Sequence, residues 1–93
     1  MTEGGGKSKK WFVYILRCSD DTLYCGVTTD VERRVKEHNS GTASRYTRSR
    51  RPVTLKGYAA FPDRGTAQRM EHAVKRRPSG EKLRFLEEIG ERD

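Results

Sequence analysis

The sequence predicts a small α+β domain: a three-stranded antiparallel sheet with flanking helices, in the order β-β-α-β-α-α. Three observations carry this reading. Residues 11–18 (WFVYILRC) form an apolar run broken only at Arg17, and a short polar turn separates it from the alternating segment Leu23–Thr28 (LYCGVT). Two later stretches, 30–39 and 66–76, place residues at the i, i+3, i+4, i+7 spacing of a helix face. A strand-like segment at 53–60 stands between them. Strands with helices packed on them make an α+β architecture. At 93 residues, with 32% hydrophobic and 35% charged side chains, the chain is expected to form one domain around a thin core.

Taken in order, residues 1–10 hold Gly4-Gly5-Gly6 with Lys7, Lys9 and Lys10 and nothing apolar after Met1, which reads as a disordered basic arm. The domain proper spans 11–90. The run at 11–18 has the length and β-rich composition of a strand covered on both faces. Ser19-Asp20-Asp21-Thr22 is turn chemistry, so this strand and Leu23–Thr28 form a hairpin. Thr29 or Asp30 serves as N-cap for the first helix, which ends at Asn39-Ser40-Gly41. A basic loop at 42–51 follows, and Pro52 introduces the third strand. Asp63 or Thr66 starts the second helix, which Pro78 stops near Arg77. Ser79 is expected to cap a last helix at 80–89, with Leu83, Leu86 and Ile89 on its buried side.

Three polar residues break the apolar stripes. The first helix face reads Val31, Arg34, Val35, His38, and the second reads Ala67, Met70, Glu71, Val74. An unpaired buried charge is costly, so such residues are expected to point into a cleft that uses them. With 20 Lys and Arg against 13 acidic residues, net charge +7, the chain favours polyanions, nucleic acid first. Arg, His and Glu on one cleft of a basic protein point to phosphate chemistry. No apolar stretch reaches the ~20 residues of a membrane span, and the N-terminus lacks the apolar region of a secretion signal. The two cysteines, Cys18 and Cys25, make no disulfide framework, and no Cys/His cluster has zinc spacing. The cytoplasm is the expected compartment.

Parity constrains the hairpin. Tyr14 and Tyr24 share a sheet face only if paired residue numbers sum to an even value. A two-residue turn at Asp20-Asp21 gives an odd sum, so an odd loop or a bulge is expected if the tyrosines act together. The same parity puts Cys18 and Cys25 on opposite faces.

Val13-Tyr14-Ile15 followed by Tyr24-Cys25-Gly26 resembles the two-strand signature of the GIY-YIG endonucleases, in particular their small, free-standing members. Residues 30–39, with Arg34 four positions before His38, are similar to the helix that follows that signature. Glu71 stands on the helix after the third strand, as a Glu does in that family. This sequence departs from the name pattern at Val13 for Gly, Ile15 for Tyr and Cys25 for Ile, and has Lys75 or Lys82 near a point where some members place Asn.

The resemblance implies metal-dependent hydrolysis of nucleic-acid phosphodiesters, DNA in the first instance. Tyr14 would help activate the attacking water, Tyr24 would line the site, and Gly26 would allow close approach of backbone and substrate. Arg34 would stabilise the scissile phosphate and His38 would stand beside it. Glu71 would be the carboxylate ligand of Mg²⁺ or Mn²⁺. The chemistry suits these types. Arg grips two phosphate oxygens and keeps its charge, a divalent ion needs few protein ligands, and Tyr or His moves the proton. Gly26, Arg33, Arg45, Tyr46, Arg48, Arg50, Arg51 and Lys75 are the candidate nucleic-acid contacts, with base stacking expected of Tyr46. The plainer readings pair Arg34 with Glu37 and Glu71 with Lys75 along their helices, and make the tyrosines ordinary core aromatics. A nucleic-acid-binding module without turnover is the alternative function. The chain is expected to be a monomer or a weak homodimer.

Overall fold

The structure, a computed structural model, describes residues 10–90; the basic arm expected at 1–10 lies, apart from Lys10, outside the described residues. Three strands, β1 (Trp11–Arg17), β2 (Leu23–Thr28) and β3 (Thr54–Phe61), form an antiparallel sheet in the order β2-β1-β3. The apolar run becomes the central strand because only a strand with neighbours on both edges and layers on both faces buries every residue from Val13 to Leu16. Among the described residues four α-helices complete the fold: α1 (Val31–Ser40), α2 (Arg45–Arg48), α3 (Arg64–Lys75) and α4 (Lys82–Ile89). The expected order is retained with one addition, α2.

The hairpin register pairs Tyr14 with Gly26 and Leu16 with Tyr24, each sum being 40. The connection at 18–22 is odd, as the parity argument requires. It closes by Cys18 N–H to Thr22 O at 2.8 Å and Asp21 N–H to Cys18 O at 2.9 Å, with Asp21 at φ 69°. The Asp20 carboxylate accepts from both the Thr22 amide and its hydroxyl, at 3.1 and 2.6 Å. A bulge opposite Ile15/Leu16 admits one extra residue into β3.

Of the two candidate caps on α1, Asp30 is the one used: its carboxylate accepts from Arg33 N–H at 3.0 Å. Gly41, at φ 86°, ends the helix in the left-handed region. Asp63 caps α3 by accepting from Thr66 N–H at 2.7 Å.

Two expectations are corrected. The segment 42–51 is not all loop, because Ser44 caps the single turn of α2 through Thr47 N–H at 3.3 Å. Nor does Ser79 cap the last helix. Pro78, at ψ 150°, leads into a 3-10 turn, Ser79–Glu81, and α4 begins only at Lys82. The Lys82 ammonium then donates to the Val74 and Lys75 carbonyls at 3.2 and 2.8 Å, satisfying the open end of α3.

Side-chain alternation along β1 divides the interior. Val13 and Ile15 join Cys25, Phe61, Ala67, Val74 and Leu86 under α3 and α4. Tyr14 and Leu16 join Cys18 and Val53 on the other side, where Tyr24, Val31, Val35 and Leu55 pack against them. Cys18 and Cys25 are therefore free thiols on opposite faces of the sheet.

Candidate active site

On the α1 face, Tyr14 and Tyr24 project from neighbouring strands with ring centroids 6.4 Å apart. His38, from the last turn of α1, lies edge-on to both, at 5.8 Å from Tyr14 and 5.0 Å from Tyr24. Its ring is wholly buried, and both nitrogens are engaged: Nε2 with Tyr14 Oη at 2.9 Å and Nδ1 with Thr47 Oγ1 at 2.8 Å. The stripe position that looked out of place for a histidine is thus a core position with two polar partners.

Gly26 faces Tyr14 across the hairpin, and any Cβ there would stand 2.5 Å from the phenol oxygen. Only glycine leaves room for the Tyr14 hydroxyl. Burial pushes the Tyr14 phenol up to about 12, with the Arg34 guanidinium beside it pulling the other way. Desolvation, reinforced by the Arg34 charge, holds His38 below its ordinary value of 6.5, so it is neutral at pH 7. Arg34 donates to Glu37 at 2.9 Å, which raises its own affinity for its proton. Its Nε is buried and has no hydrogen-bond partner. The helical pairing of Arg34 with Glu37 is real, yet it leaves a donor of the fork unmatched beside Tyr14.

Glu71 enters from the opposite side. It stands on α3, under the Cys25 face, with its side chain 17% exposed and 3.2 Å from Lys75. Its charge and burial together push the Cys25 thiol up to about 12, burial being the larger cause, so that thiol is unreactive. β2 is an edge strand of the sheet. There a groove of about 270 Å³ is lined by Leu23, Tyr24, Cys25, Tyr46, Lys75 and Lys82. Arg34 and His38 stand on α1, on the Tyr14 face, and Glu71 stands on α3, on the Cys25 face. Arg34 lies beside the Tyr14 phenol, His38 is bonded to it, and Glu71 is paired with Lys75, which lines the groove.

The basic segment divides in two. Arg50 sits 3.8 Å over the Tyr46 ring, donates to Asp20 at 3.0 Å and to the Tyr46 carbonyl at 2.8 Å. Tyr46 in turn stacks on Tyr24, at 5.8 Å between centroids. Arg50 fills one face of Tyr46 and Tyr24 takes the other, so the ring is not the open stacking platform expected of it. Arg51 is exposed, yet its guanidinium is also engaged, donating to the Arg48 and Asn39 carbonyls at 2.8 and 3.4 Å. Arg45 and Arg48 are exposed, as is Arg33, which pairs with Glu37 at 3.6 Å. Thr47 escaped the sequence reading. Its only local signal is a Ser44-x-x-Thr47 spacing that closes a turn.

Residues 10–83 match the GIY-YIG catalytic domain family. Among curated relatives, a UPF0213 protein of Nitratidesulfovibrio vulgaris is 54% identical over 86 residues, covering 92% of this chain and 78% of its own length. A UPF0213 protein of Haloquadratum walsbyi is 48% identical over 77 residues, covering 83% and 86%. Two solution structures share the fold. The UPF0213 protein of Bacillus halodurans gives a TM-score of 0.52 at 42% identity, over 87% of this chain and 86% of that one. A protein from E. faecalis gives 0.60 at 37% identity, with the same coverage.

Proposed function

The chain belongs to the GIY-YIG family, and from that premise we propose that it is an endonuclease hydrolysing phosphodiester bonds of nucleic acid, DNA in the first instance, with Mg²⁺ or Mn²⁺. One observation carries the reading: the Tyr14 hydroxyl, faced by Gly26 and backed by His38, lies beside an arginine fork whose Nε has no protein partner.

In the reaction, water adds to phosphorus, one P–O ester bond breaks, and the departing oxygen takes a proton. The water must lose a proton as it attacks. Tyr14, with its phenol pushed up to about 12, is no base by itself at neutral pH. It can take that proton only while passing its own to His38 Nε2, 2.9 Å away. Arg34 is the residue for the charge that gathers on the phosphate oxygens, its forked donors being permanently charged. Tyr24 and Lys75 flank the groove at the β2 edge where the strand would lie.

Among the described residues no group of three or more His, Cys, Asp or Glu could hold a metal ion. A divalent ion that keeps several of its waters needs few protein ligands, and Glu71 would offer it one hard carboxylate, exchanging its contact with Lys75 for the ion. Bound there, the ion would supply Lewis-acid polarisation of the phosphate.

The test is a cleavage panel of plasmid, duplex, flap, four-way junction, single-stranded DNA and RNA. Each substrate is run with Mg²⁺ or Mn²⁺ and with EDTA, beside Arg34→Ala and Glu71→Ala. Metal-dependent products absent from both variants are the expected result. Binding without cleavage across the panel assigns the protein as a nucleic-acid-binding module instead. Cleavage that persists in both variants overturns the site.

A further inference from the structure

We propose that Thr47 is a positioning residue that sets the tautomer of His38, keeping Nε2 free to take the Tyr14 proton. The inference rests on the nuclease reading for its consequence, though not for its geometry. Thr47 is wholly buried on α2 and does not line the groove at the β2 edge.

A neutral imidazole carries one N–H and one lone pair, so the two contacts of His38 cannot both run the same way. Suppose Nε2 holds the hydrogen. It then donates to Tyr14 Oη, and the Tyr14 hydrogen must find another acceptor. The polar group beside it is the Arg34 guanidinium, which has donors only. The phenol hydrogen would be stranded inside the protein, an unsatisfied buried donor that costs more than a bond merely exchanged with water.

Suppose instead that Nδ1 holds the hydrogen. It donates to Thr47 Oγ1 at 2.8 Å, and the Thr47 hydroxyl passes its own hydrogen to the Ser44 carbonyl at 3.4 Å. Nε2 is then the acceptor of the Tyr14 hydroxyl at 2.9 Å. Every hydrogen has a partner. The chain of donors runs Tyr14, His38, Thr47, Ser44, and it ends on a backbone oxygen that also accepts the Arg48 amide at 3.1 Å. Burial and the neighbouring Arg34 charge disfavour the doubly protonated ring, which leaves the choice between these two neutral forms. The one-turn helix α2 therefore acts on the chemistry from behind, through the single hydroxyl that it buries against His38.

The decisive measurement reads the tautomer directly, by two-bond ¹⁵N–¹H correlation spectra of the full chain labelled at histidine. Only His38 and His72 contribute, and the exposed His72 serves as the internal reference for folding. In the parent protein His38 should show a protonated Nδ1 and a bare Nε2. Thr47→Val keeps the shape but removes the acceptor, and should move His38 toward the Nε2-protonated form. Thr47→Ser should restore the parent spectrum. Thr47→Ala is the second variant should the valine perturb folding. Cleavage should fall in Thr47→Val on the order of 10–100-fold, as for other partners that orient a reactive histidine, with KM little changed and recovery in Thr47→Ser. An Nε2-protonated His38 in the parent protein overturns the inference, and so does a tautomer indifferent to Thr47. A tautomer that follows Thr47 in a protein that cleaves nothing supports the inference and overturns the nuclease reading alone.

Discussion

The two faces of the central strand serve opposite purposes, although their residues alternate along one short sequence. Beneath α3 and α4, Val13 and Ile15 meet only apolar neighbours around Leu86, and the face is held by packing. Beneath α1 and α2, Tyr14 meets a histidine, an arginine and, through the histidine, a threonine. That second face is closed by directional bonds. Beside the apolar cluster of Leu16, Cys18 and Val53, that face thus carries polar groups, and each must be partnered to be tolerated. Residue parity thus places the polar groups of β1's interior on one face. Odd-numbered Val13 and Ile15 of β1 support one core, whereas on the even-numbered face Leu16 packs and Tyr14 carries the candidate chemistry.

The sharpest test of that division is Leu86→Ala. Leu86 is wholly buried between α4 and the odd face. Its truncation should cost about 2–5 kcal/mol, measured by urea denaturation, while cleavage per folded molecule stays within about twofold. A comparable loss of specific activity in the folded protein would show that the faces are coupled.

The converse is Tyr14→Phe. It removes one oxygen and leaves the ring in place, so stability should fall by only about 1–2 kcal/mol, the share of a buried hydrogen bond. Activity should fall on the order of 10²–10⁴-fold, the usual share of proton transfer. Equal activity in Tyr14→Phe and the parent would remove Tyr14 from the mechanism.

The division also explains what could be read from the sequence. β2 lies at Leu23–Thr28 as its alternation indicates, and the odd connection at 18–22 follows from parity once both tyrosines are required on one face. Asp30 and Asp63 are legible as caps because a cap is a local bond over three residues. What was not legible is long-range. A four-residue helix is too short to show any periodicity, and the bond from Thr47 to a histidine nine residues away has no local signature. Arg50 looks like every other arginine of its segment until Asp20, thirty residues earlier, claims it. The polar breaks at His38 and Glu71 were visible in their stripes, yet only the topology places one behind Tyr14 and the other across the sheet.

pH separates the polar face from the rest by sign. His38 is held below 6.5, so the folded state prefers it neutral. Its contribution is intact above 6.5 and is lost as pH falls through that value, levelling off below the folded pKa. Tyr14 is raised from 10.0 to about 12, so its contribution is intact below 10.0 and is lost as pH climbs toward 12. Cys25, raised from 9.0 to about 12, adds a loss of the same sign from the apolar face. Stability should therefore be flat from about pH 7 to 9. His38→Gln should erase the decline on the acid side between pH 7 and 5. Tyr14→Phe should reduce, without abolishing, the alkaline one. Urea midpoints across pH 5–11 check both, and an unchanged acid limb in His38→Gln would mean that His38 tolerates its charge.

The smallest effects lie in the basic segment, where the same residue type does two jobs. Arg45 and Arg48 face solvent, whereas Arg50 is tied to Asp20, to the Tyr46 carbonyl and to the Tyr46 ring. Free arginines that meet phosphates release counterions. Arg45→Ala and Arg48→Ala should therefore each lower the salt slope of duplex-DNA binding by about 0.9, with no change in stability. Arg50→Ala should leave that slope nearly untouched and cost about 1 kcal/mol, because it loosens α2 from the hairpin turn. Loosening α2 also frees Thr47 from His38, so Arg50→Ala should lower cleavage more than it lowers binding. Fluorescence titrations between 50 and 200 mM salt, run beside cleavage assays, distinguish the two jobs. A full phosphate-contact slope at Arg50, with none at Arg45, would reverse the assignment and make the tied arginine the one that turns outward to its ligand.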